Sequence, residues 1–265
     1  MKKLSKITES IWSDMQDRSA GETVREEDKI TTKEELQDKI YELYEKQGKG
    51  DTLDVSSLTN AFKCDDFSSL FQGYKNVKYI IGLENWDVSE VTNMKEMFEG
   101  CENFNADLSK WNVSSVEDMA YMFWNCQTFN SDLSNWNVSS VKDMRYMFYN
   151  CKTFNSDLSN WNVSSVTTMF AMFEGCDKFN SDLSNWNVSS VEDMRFMFQN
   201  CKKFDSDLSK WNVSSVKDMY AMFWDCENFN SDLSNWDVSN VTDMRNMFYS
   251  CDSLKNKPSW YYTHS

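Results

Sequence analysis

The chain contains little proline, glycine or histidine, and this limits the kinds of catalytic site that it can form. Among 265 residues there are one proline, seven glycines and one histidine, His264, which stands next to the end. The residue that enzymes use most often as a general base is therefore missing from the body of the chain. The sequence also has no Gly-rich phosphate loop and no nucleophile motif with partners. We expect a protein that is not an enzyme.

Cysteine is present but not in a metal-binding pattern. No C-x-x-C pair occurs, and all of the eight cysteines except Cys64 stand in one column of a repeat. A disulfide needs Cα atoms within about 7 Å of each other, and we expect neighbouring cysteines of this column to lie further apart. We interpret them as small, reduced, buried residues, and we predict no metal site and no cofactor.

Long apolar runs and excess positive charge are also missing. No stretch approaches the roughly 20 apolar residues of a membrane span, and the net charge of −15 argues against nucleic-acid binding. Met1-Lys2-Lys3 resembles the start of a secretion signal, but no apolar run of about 7 residues follows. We expect no signal peptide, and a location in a virion or the cytoplasm rather than at the cell surface.

A repeat of 25 residues dominates the rest of the chain. Its tryptophan column consists of Trp86, Trp111, Trp136, Trp161, Trp186, Trp211 and Trp236. A fixed period in the range of roughly 20–50 residues indicates a solenoid or a similar array, in which each unit buries its apolar face against its neighbours.

Two shorter patterns divide each repeat. In the first half, Trp111 and Val113 alternate with polar Lys110 and Asn112, which is typical of a half-buried strand. In the second half, the apolar residues have the spacing of one helical stripe. They are Val116, Met119, Met122, Phe123 and Cys126. A Ser114–Glu117 capping box would start that helix.

These patterns predict an α/β fold. We expect a right-handed, leucine-rich-repeat-like solenoid of about eight strand–helix rungs. Because strands stack more closely than helices do, the parallel sheet should lie on the concave side and the helices on the convex side.

The repeat unit resembles that of a known family. The stretch LSNWNVSSVTTMFAMFEGCDKFN, from Leu158 to Asn180, is similar to the BspA-like bacterial surface-protein repeat, a leucine-rich-repeat-like group. The resemblance extends roughly from Asp54 to Leu254. It implies a solenoid used for adhesion or protein interaction, and it implies no catalytic residues.

We divide the chain into four parts. Residues 1–30 form an N-terminal extension or docking peptide, 31–50 a capping helix, 51–254 the solenoid with a degenerate first repeat, and 255–265 a C-terminal cap. The leader MKKLSKITESIWSDMQDR resembles openings of gut bacteriophage proteins. The candidate docking residues within it are Ile11, Trp12 and Met15.

Two polar columns recur beside the apolar ones. Asn112 and its equivalents are spaced to form a hydrogen-bonded ladder along the predicted sheet. Asp107 and its equivalents stand where short side chains satisfy the amides of turns. A stack of Ca²⁺ sites is the alternative for the aspartates, since hard cations bind several oxygens.

Variation between repeats is concentrated on the predicted helix, opposite its apolar stripe. Large aromatic residues and arginines at variable positions that face solvent are typical of a recognition surface. The candidate binding residues are Tyr121, Trp124, Tyr146, Tyr149, Phe170, Phe196, Tyr220, Trp224 and Tyr249. The alternatives are that these side chains only fill grooves between adjacent helices, or that an unselected surface has drifted.

The leading functional hypothesis is a non-enzymatic binding or adhesion module that recognises a protein or a carbohydrate through an extended repeat surface. The alternative is a structural or accessory bacteriophage virion protein, docked to an assembly partner through its N-terminal segment. A third possibility is a cytoplasmic protein that binds a host factor. Homo-oligomers through the open ends of the solenoid fit all three hypotheses.

Overall fold

The computed structural model describes residues 29–59 and 61–263. Within them lie one α-helix, α1 (Lys33–Lys46), and two strands, β1 (Thr52–Asp54) and β2 (Tyr79–Ile81). Three 3₁₀ helices cover Ser56–Leu58, Leu83–Asn85 and Ser259–Thr263. One continuous apolar core extends from α1 to Cys251. The solenoid predicted from the repeat is confirmed, but the internal structure of its rungs differs from the prediction.

Helix α1 covers the beginning of the core. The side chain of Thr32 accepts a hydrogen bond from the Glu35 amide, which satisfies one of the unpaired amides at the helix start. Leu36, Ile40 and Leu43 form its buried stripe. The first turns of the solenoid therefore have an apolar cover at this end.

The two short strands form a parallel pair in which Leu53 lies opposite Ile80. Beyond them, the rungs are joined through isolated parallel bridges at equivalent positions. The bridged residues are Asp66, Asn93, Asp118, Asp143, Thr168, Asp193, Asp218 and Asp243. The degenerate first repeat therefore joins the same array as the regular ones.

A ladder of backbone hydrogen bonds holds each rung to the next. In the rung of Trp111, the amides of Met119, Tyr121, Phe123 and Asn125 donate to carbonyls of the following rung at 2.7–3.1 Å. The intervening amides of Met122, Trp124 and Cys126 donate to the residue three positions earlier in the same rung. Every second amide thus bonds between rungs, and the others close turns.

This segment is the one for which we predicted a helix, and that prediction is wrong. Tyr121 and Asn125 have positive φ angles of 60° and 59°. A positive φ at the third residue is what a type II turn requires, and an α-helix excludes it. Two successive turns of this kind place Met119, Met122, Phe123 and Cys126 inside, at the same spacing as a helical stripe.

The predicted strand at Trp111 and Val113 is also absent, so the rungs have neither the concave sheet nor the convex helices of the leucine-rich-repeat prediction. The Trp111 amide donates to the Leu108 carbonyl at 3.1 Å, and Val116 donates to Val113 at 3.0 Å, so two turns occupy this half. The burial pattern was nevertheless correct, because Trp111 and Val113 are buried and Lys110 and Asn112 are exposed.

Identical side chains stack along the core. Phe123 and Phe148 lie 5.6 Å apart between ring centroids with an interplanar angle of 7°. Trp136 and Trp161 lie 6.4 Å apart at 2°. From Trp111 to Trp236 each indole also donates to the rung before it, as Trp136 does to the Leu108 carbonyl at 3.0 Å, whereas the buried indole of Trp86 has no partner among the described residues. Parallel stacking and this hydrogen bond fix one register between rungs.

The cysteine column is buried and free of disulfides. Each thiol of the column donates to the carbonyl of a phenylalanine in the preceding rung, for example Cys151 to Phe123 at 3.0 Å. Burial raises the pKa of these thiols, to about 12 for Cys101. They behave as small core residues with one satisfied donor, as the sequence indicated.

The polar columns make hydrogen bonds that differ in part from the predicted ones. Asn112 accepts from the Ser114 amide within its own rung, so the predicted ladder at this column does not form. A ladder does form at another asparagine column, where Asn105 Oδ1 accepts from the Asn130 amide at 2.8 Å. Asp107 accepts from the Ser109 amide at 2.9 Å, which is the predicted turn role.

The far end of the core is closed by Trp260. Its ring continues the tryptophan stack, 6.3 Å from Trp236 at an angle of 4°. Its indole donates to the Leu233 carbonyl at 2.9 Å, which repeats the hydrogen bond of the regular tryptophans. The last rung therefore does not present its tryptophan face to solvent.

The positive φ angles of the turns predict that replacing a glycine by alanine destabilises the protein at turn positions and not elsewhere. Gly175 has φ 76°, and an added Cβ would lie 3.4 Å from the Asn150 backbone. We expect Gly175→Ala to lower the free energy of unfolding by about 1–2 kcal/mol, measured by urea denaturation. Gly50, which has no positive φ and no atom within 4 Å of an added Cβ, is the control. Equal losses for Gly175→Ala and Gly50→Ala would contradict this turn geometry.

The stacked core predicts that one substitution that creates a cavity greatly lowers the free energy of unfolding. Phe148 is fully buried, and its ring centroid lies 4.0 Å from that of Phe154. We expect Phe148→Ala to lower the free energy of unfolding by about 3–5 kcal/mol in urea denaturation followed by tryptophan fluorescence. Exposed Lys152→Ala should change it by less than about 0.5 kcal/mol. A small loss for Phe148→Ala would mean that the rungs are not packed as one core.

Candidate functional site: an aromatic face beside the backbone ladder

Three outward columns flank the backbone ladder, and they carry the candidate binding residues. In the rung of Trp111 they are the positions of Ala120, Tyr121 and Trp124. Because successive rungs are held in register, side chains 25 positions apart come to lie beside each other, as Asn105 and Asn130 do. We call the nine aromatic residues of these columns the aromatic face. Its members are Tyr121, Trp124, Tyr146, Tyr149, Phe170, Phe196, Tyr220, Trp224 and Tyr249.

Five rings of the aromatic face form a continuous row. Tyr121 stacks on Tyr146 with centroids 4.7 Å apart. The row continues edge-to-face from Tyr146 to Phe170 at 4.9 Å and from Phe170 to Phe196 at 5.6 Å. It ends at Tyr220, 5.2 Å from Phe196. Stacked and edge-to-face rings at these distances attract each other, so the row crosses five rungs without a break.

The other four rings form two pairs in the Trp124 column. Trp124 and Tyr149 are stacked 5.5 Å apart at 6°, and Trp224 and Tyr249 lie 4.7 Å apart at 44°. The first pair joins the row through Tyr146, whose ring lies 5.6 Å from that of Tyr149. Seven of the nine predicted residues therefore form one connected cluster, and Trp224 and Tyr249 form a second pair.

Because the rings pack against one another, each ring is less exposed to solvent. The predicted helices are absent from these rungs, and eight of the nine rings are half-buried, so the rings are less exposed than the prediction implied. Tyr249, near the C-terminal end, is 56% exposed. None of the nine belongs to the continuous core or to the apolar residues packed on it in the described chain. The face is thus a second layer of rings with one side open.

Arginines cover parts of the face. The guanidinium of Arg195 lies 4.7 Å from the ring centroid of Phe170 and pairs with Asp193 at 2.6 Å. Arg245 repeats this arrangement over Tyr220 at 5.7 Å, paired with Asp243. The adjacent carboxylates raise the pKa of both arginines above its usual value. Phe170 and Tyr220 are thereby each covered by a guanidinium whose positive charge is paired with a carboxylate.

The rung of Trp161 interrupts both the Tyr121 column and the Trp124 column. It has Ala171 where its neighbours have Tyr146 and Phe196, and Glu174 where the preceding rung has Tyr149. The result is an open cavity of about 530 Å³. Its lining residues are Glu99, Tyr121, Trp124, Tyr146, Tyr149, Glu174, Phe196 and Gln199.

Two of the side chains that line this cavity, Glu174 and Gln199, have acceptor oxygens without a donor among the described residues. Gln199 Oε1 is buried and has no hydrogen-bond partner among the described residues. Desolvation raises the pKa of Glu174 from 4.5 to about 7. The same carboxylate raises the pKa of Tyr146 and Tyr149, in both cases as a smaller effect than their own burial.

Sequence reasoning did not select Glu174 or Gln199 as site residues. The signal that could have found them is a polar residue in a column where Trp124, Tyr149 and Trp224 are aromatic. The sequence prediction used the aromatic members alone. The docking residues Ile11, Trp12 and Met15, and with them the phage-like leader, lie outside the described residues.

Comparison with known proteins identifies a family. A family model described as "Mycoplasma protein of unknown function, DUF285" matches residues 65–186 and 156–261, so the two overlapping matches extend over well more than half of the chain. The chain belongs to the DUF285 family. DUF285 is a BspA-like repeat family, which agrees with the resemblance of the repeat unit. No curated protein and no solved structure matches this DUF285 chain.

Two further features of the described residues bear on the candidate site. No group of three or more potential ligands among the described residues of the DUF285 chain is arranged to hold a metal ion. Over the same residues, no helix has the length and apolar character needed to cross a membrane. These findings concern residues 29–59 and 61–263 alone.

The raised pKa of Glu174 predicts a pH-dependent effect of its replacement. A carboxyl whose folded pKa is raised favours folding while it is protonated, and this contribution is lost as pH rises from about 4.5 to about 7. We therefore expect Glu174→Gln to match the wild type in free energy of unfolding at pH 4 and to exceed it at pH 8. Urea denaturation at the two pH values measures the difference.

Glu117→Gln is the matched control, since Glu117 is an exposed carboxylate paired with Lys142. It should gain no stability relative to the wild type as pH rises. A ¹³C NMR titration of the Glu174 carboxyl gives a direct measurement. An apparent pKa below about 5 for this group would show that burial does not perturb it.

Proposed function

We propose that this DUF285 chain is a non-enzymatic binding module and that the aromatic face is its recognition surface for a protein partner. One observation carries this proposal. Nine large rings are assembled outside a core that is already complete, and one side of this layer remains open. Folding alone does not require a second aromatic layer on one side of the solenoid.

The composition of the face favours a protein as the partner. Tyrosine, tryptophan and arginine are the residues most enriched at the energetic centres of protein interfaces. Here they lie together, with Arg195 over Phe170 and Arg245 over Tyr220. A carbohydrate, which also stacks on aromatic rings, is the alternative outcome of the experiment below.

Rigidity supports the same proposal. Side chains that are held in place before binding lose little conformational entropy when a partner docks. The stack of Trp124 on Tyr149 and the continuous row through Phe170 hold the rings in this way. Lateral packing and recognition are therefore compatible roles of the same residues.

The virion hypothesis depends on residues 1–28, which the structure does not describe. No observation on the described residues favours it over the recognition surface. The binding module is therefore the function that we develop further.

Truncation of the first ring pair tests the proposal. We expect the double variant Trp124→Ala/Tyr149→Ala to lose capture of the partner in a pull-down from the native source, by at least about tenfold, because interface aromatics contribute about 2 kcal/mol or more each when they are energetic centres. Both rings lie outside the core, so the far-UV circular dichroism spectrum should not change.

The control variant is Tyr79→Ala, which removes an aromatic side chain that is 51% exposed on strand β2. It should retain capture. Undiminished capture by the double variant would exclude the aromatic face as the binding surface. A captured species that is destroyed by glycosidases and not by proteases would replace the protein partner with a carbohydrate.

A further inference from the structure

The cavity at Ala171 and Glu174 indicates the chemistry of the group that enters it. Aromatic rings of Tyr146, Tyr149 and Phe196 line it, together with the carboxylates of Glu99 and Glu174 and the amide side chain of Gln199. All of these present negative charge, lone pairs or the electron-rich faces of rings. Such a set of groups is complementary to a cation that carries several N–H donors.

The chain contains its own examples of this complementarity. Arg195 over Phe170, paired with Asp193, and Arg245 over Tyr220, paired with Asp243, each combine a ring, a carboxylate and a guanidinium. The cavity has the ring and the carboxylate of that combination. Among the described residues, no cationic side chain forms an ion pair with Glu174.

We propose that this cavity is a receptor for an arginine side chain of the protein partner, with the guanidinium on the ring of Tyr149 and its N–H groups donating to the two carboxylate oxygens of Glu174. This inference rests on the proposed function, because it specifies what the aromatic face recognises. A guanidinium supplies five donors in one plane, so it can serve two acceptors and stack on a ring at the same time. An ammonium group is a point charge that cannot stack in this way.

The charge of the chain supports this assignment. The whole chain carries a net charge of −15, which attracts a basic partner and speeds its approach. The raised pKa of Glu174 agrees with a carboxylate that lacks a positive partner.

A matched pair of probes tests the proposal on the full chain. The first probe is a pentapeptide with blocked ends and one central arginine between glycines, and the second has citrulline, which is neutral and has nearly the same shape. Binding is followed by chemical-shift changes in NMR titrations. We expect the arginine peptide to bind at least about tenfold more tightly than the citrulline peptide, because charged hydrogen bonds are the stronger ones.

Three variants test where on the chain the arginine peptide binds. Glu174→Gln keeps the shape of the side chain and should weaken the arginine peptide by about tenfold. Glu174→Tyr fills the cavity with the residue that Tyr149 supplies in the preceding rung, so it is expected to fold and to abolish binding. Glu117→Gln removes one charge at an exposed position outside the cavity and should leave binding unchanged. Unchanged affinity of Glu174→Gln, or an equal loss in Glu117→Gln, would overturn the proposal.

The pH dependence gives a second readout. Since a protonated Glu174 cannot pair with a guanidinium, the affinity of the arginine peptide should rise between pH 6 and pH 8 in the wild type, around the pKa of about 7, and stay constant in Glu174→Gln. No binding of the arginine peptide, or equal binding of a lysine peptide and the arginine peptide, would also overturn the assignment.

The outcomes separate this inference from the proposed function. If a natural partner is lost by Trp124→Ala/Tyr149→Ala and kept by Glu174→Gln, the recognition surface stands and the arginine receptor is wrong. If the double variant keeps the partner, the recognition surface is wrong, whatever the arginine peptide does.

Discussion

Every second backbone amide between Met119 and Asn125 donates to the next rung, and the rest of the structure depends on this ladder. It satisfies backbone groups that neither a helix nor a regular strand satisfies here. It also fixes the register, because a shift by one residue would move Tyr121 into the buried position of Met122 and Phe123 into the half-buried position of Trp124. Stacked phenylalanines and tryptophans then add their attraction in a single arrangement, as Phe148 on Phe173 does at 5.6 Å.

The same ladder creates the candidate site. The ladder aligns equivalent positions of successive rungs, so an aromatic residue that is repeated at such positions produces a row of rings. Where a small or polar residue interrupts an aromatic column, a cavity forms. Ala171 and Glu174 are ordinary residues by themselves. Their position between Tyr146 and Tyr149 on one side and Phe196 on the other gives the carboxylate its aromatic surroundings. Single substitutions in these columns, which lie outside the core, can therefore reshape this surface.

The burial of the repeat could be predicted from sequence, but its backbone could not. Offsets of 3, 6, 7 and 10 from Val116 to Cys126 fit a helix, and two type II turns with inward residues at the same offsets fit equally well. The distinguishing signal is weak, since Gly100, Gly175, Asn125 and Asn150 all tolerate positive φ but also end helices. Tyr121, which adopts the same conformation, gives no local signal at all.

The sequence by itself determined that the chain is a solenoid, which columns are buried, and that the cysteines serve as core residues, because these follow from composition repeated at a fixed period. The tertiary structure decided where the ladder runs, that the aromatic rings pack on one another, and that Glu174 and Gln199 share a cavity. Those features depend on contacts between residues about 25 positions apart, whose geometry is set by the turn of the backbone within each rung. Local sequence patterns describe which side of the chain is apolar, but they do not specify that turn.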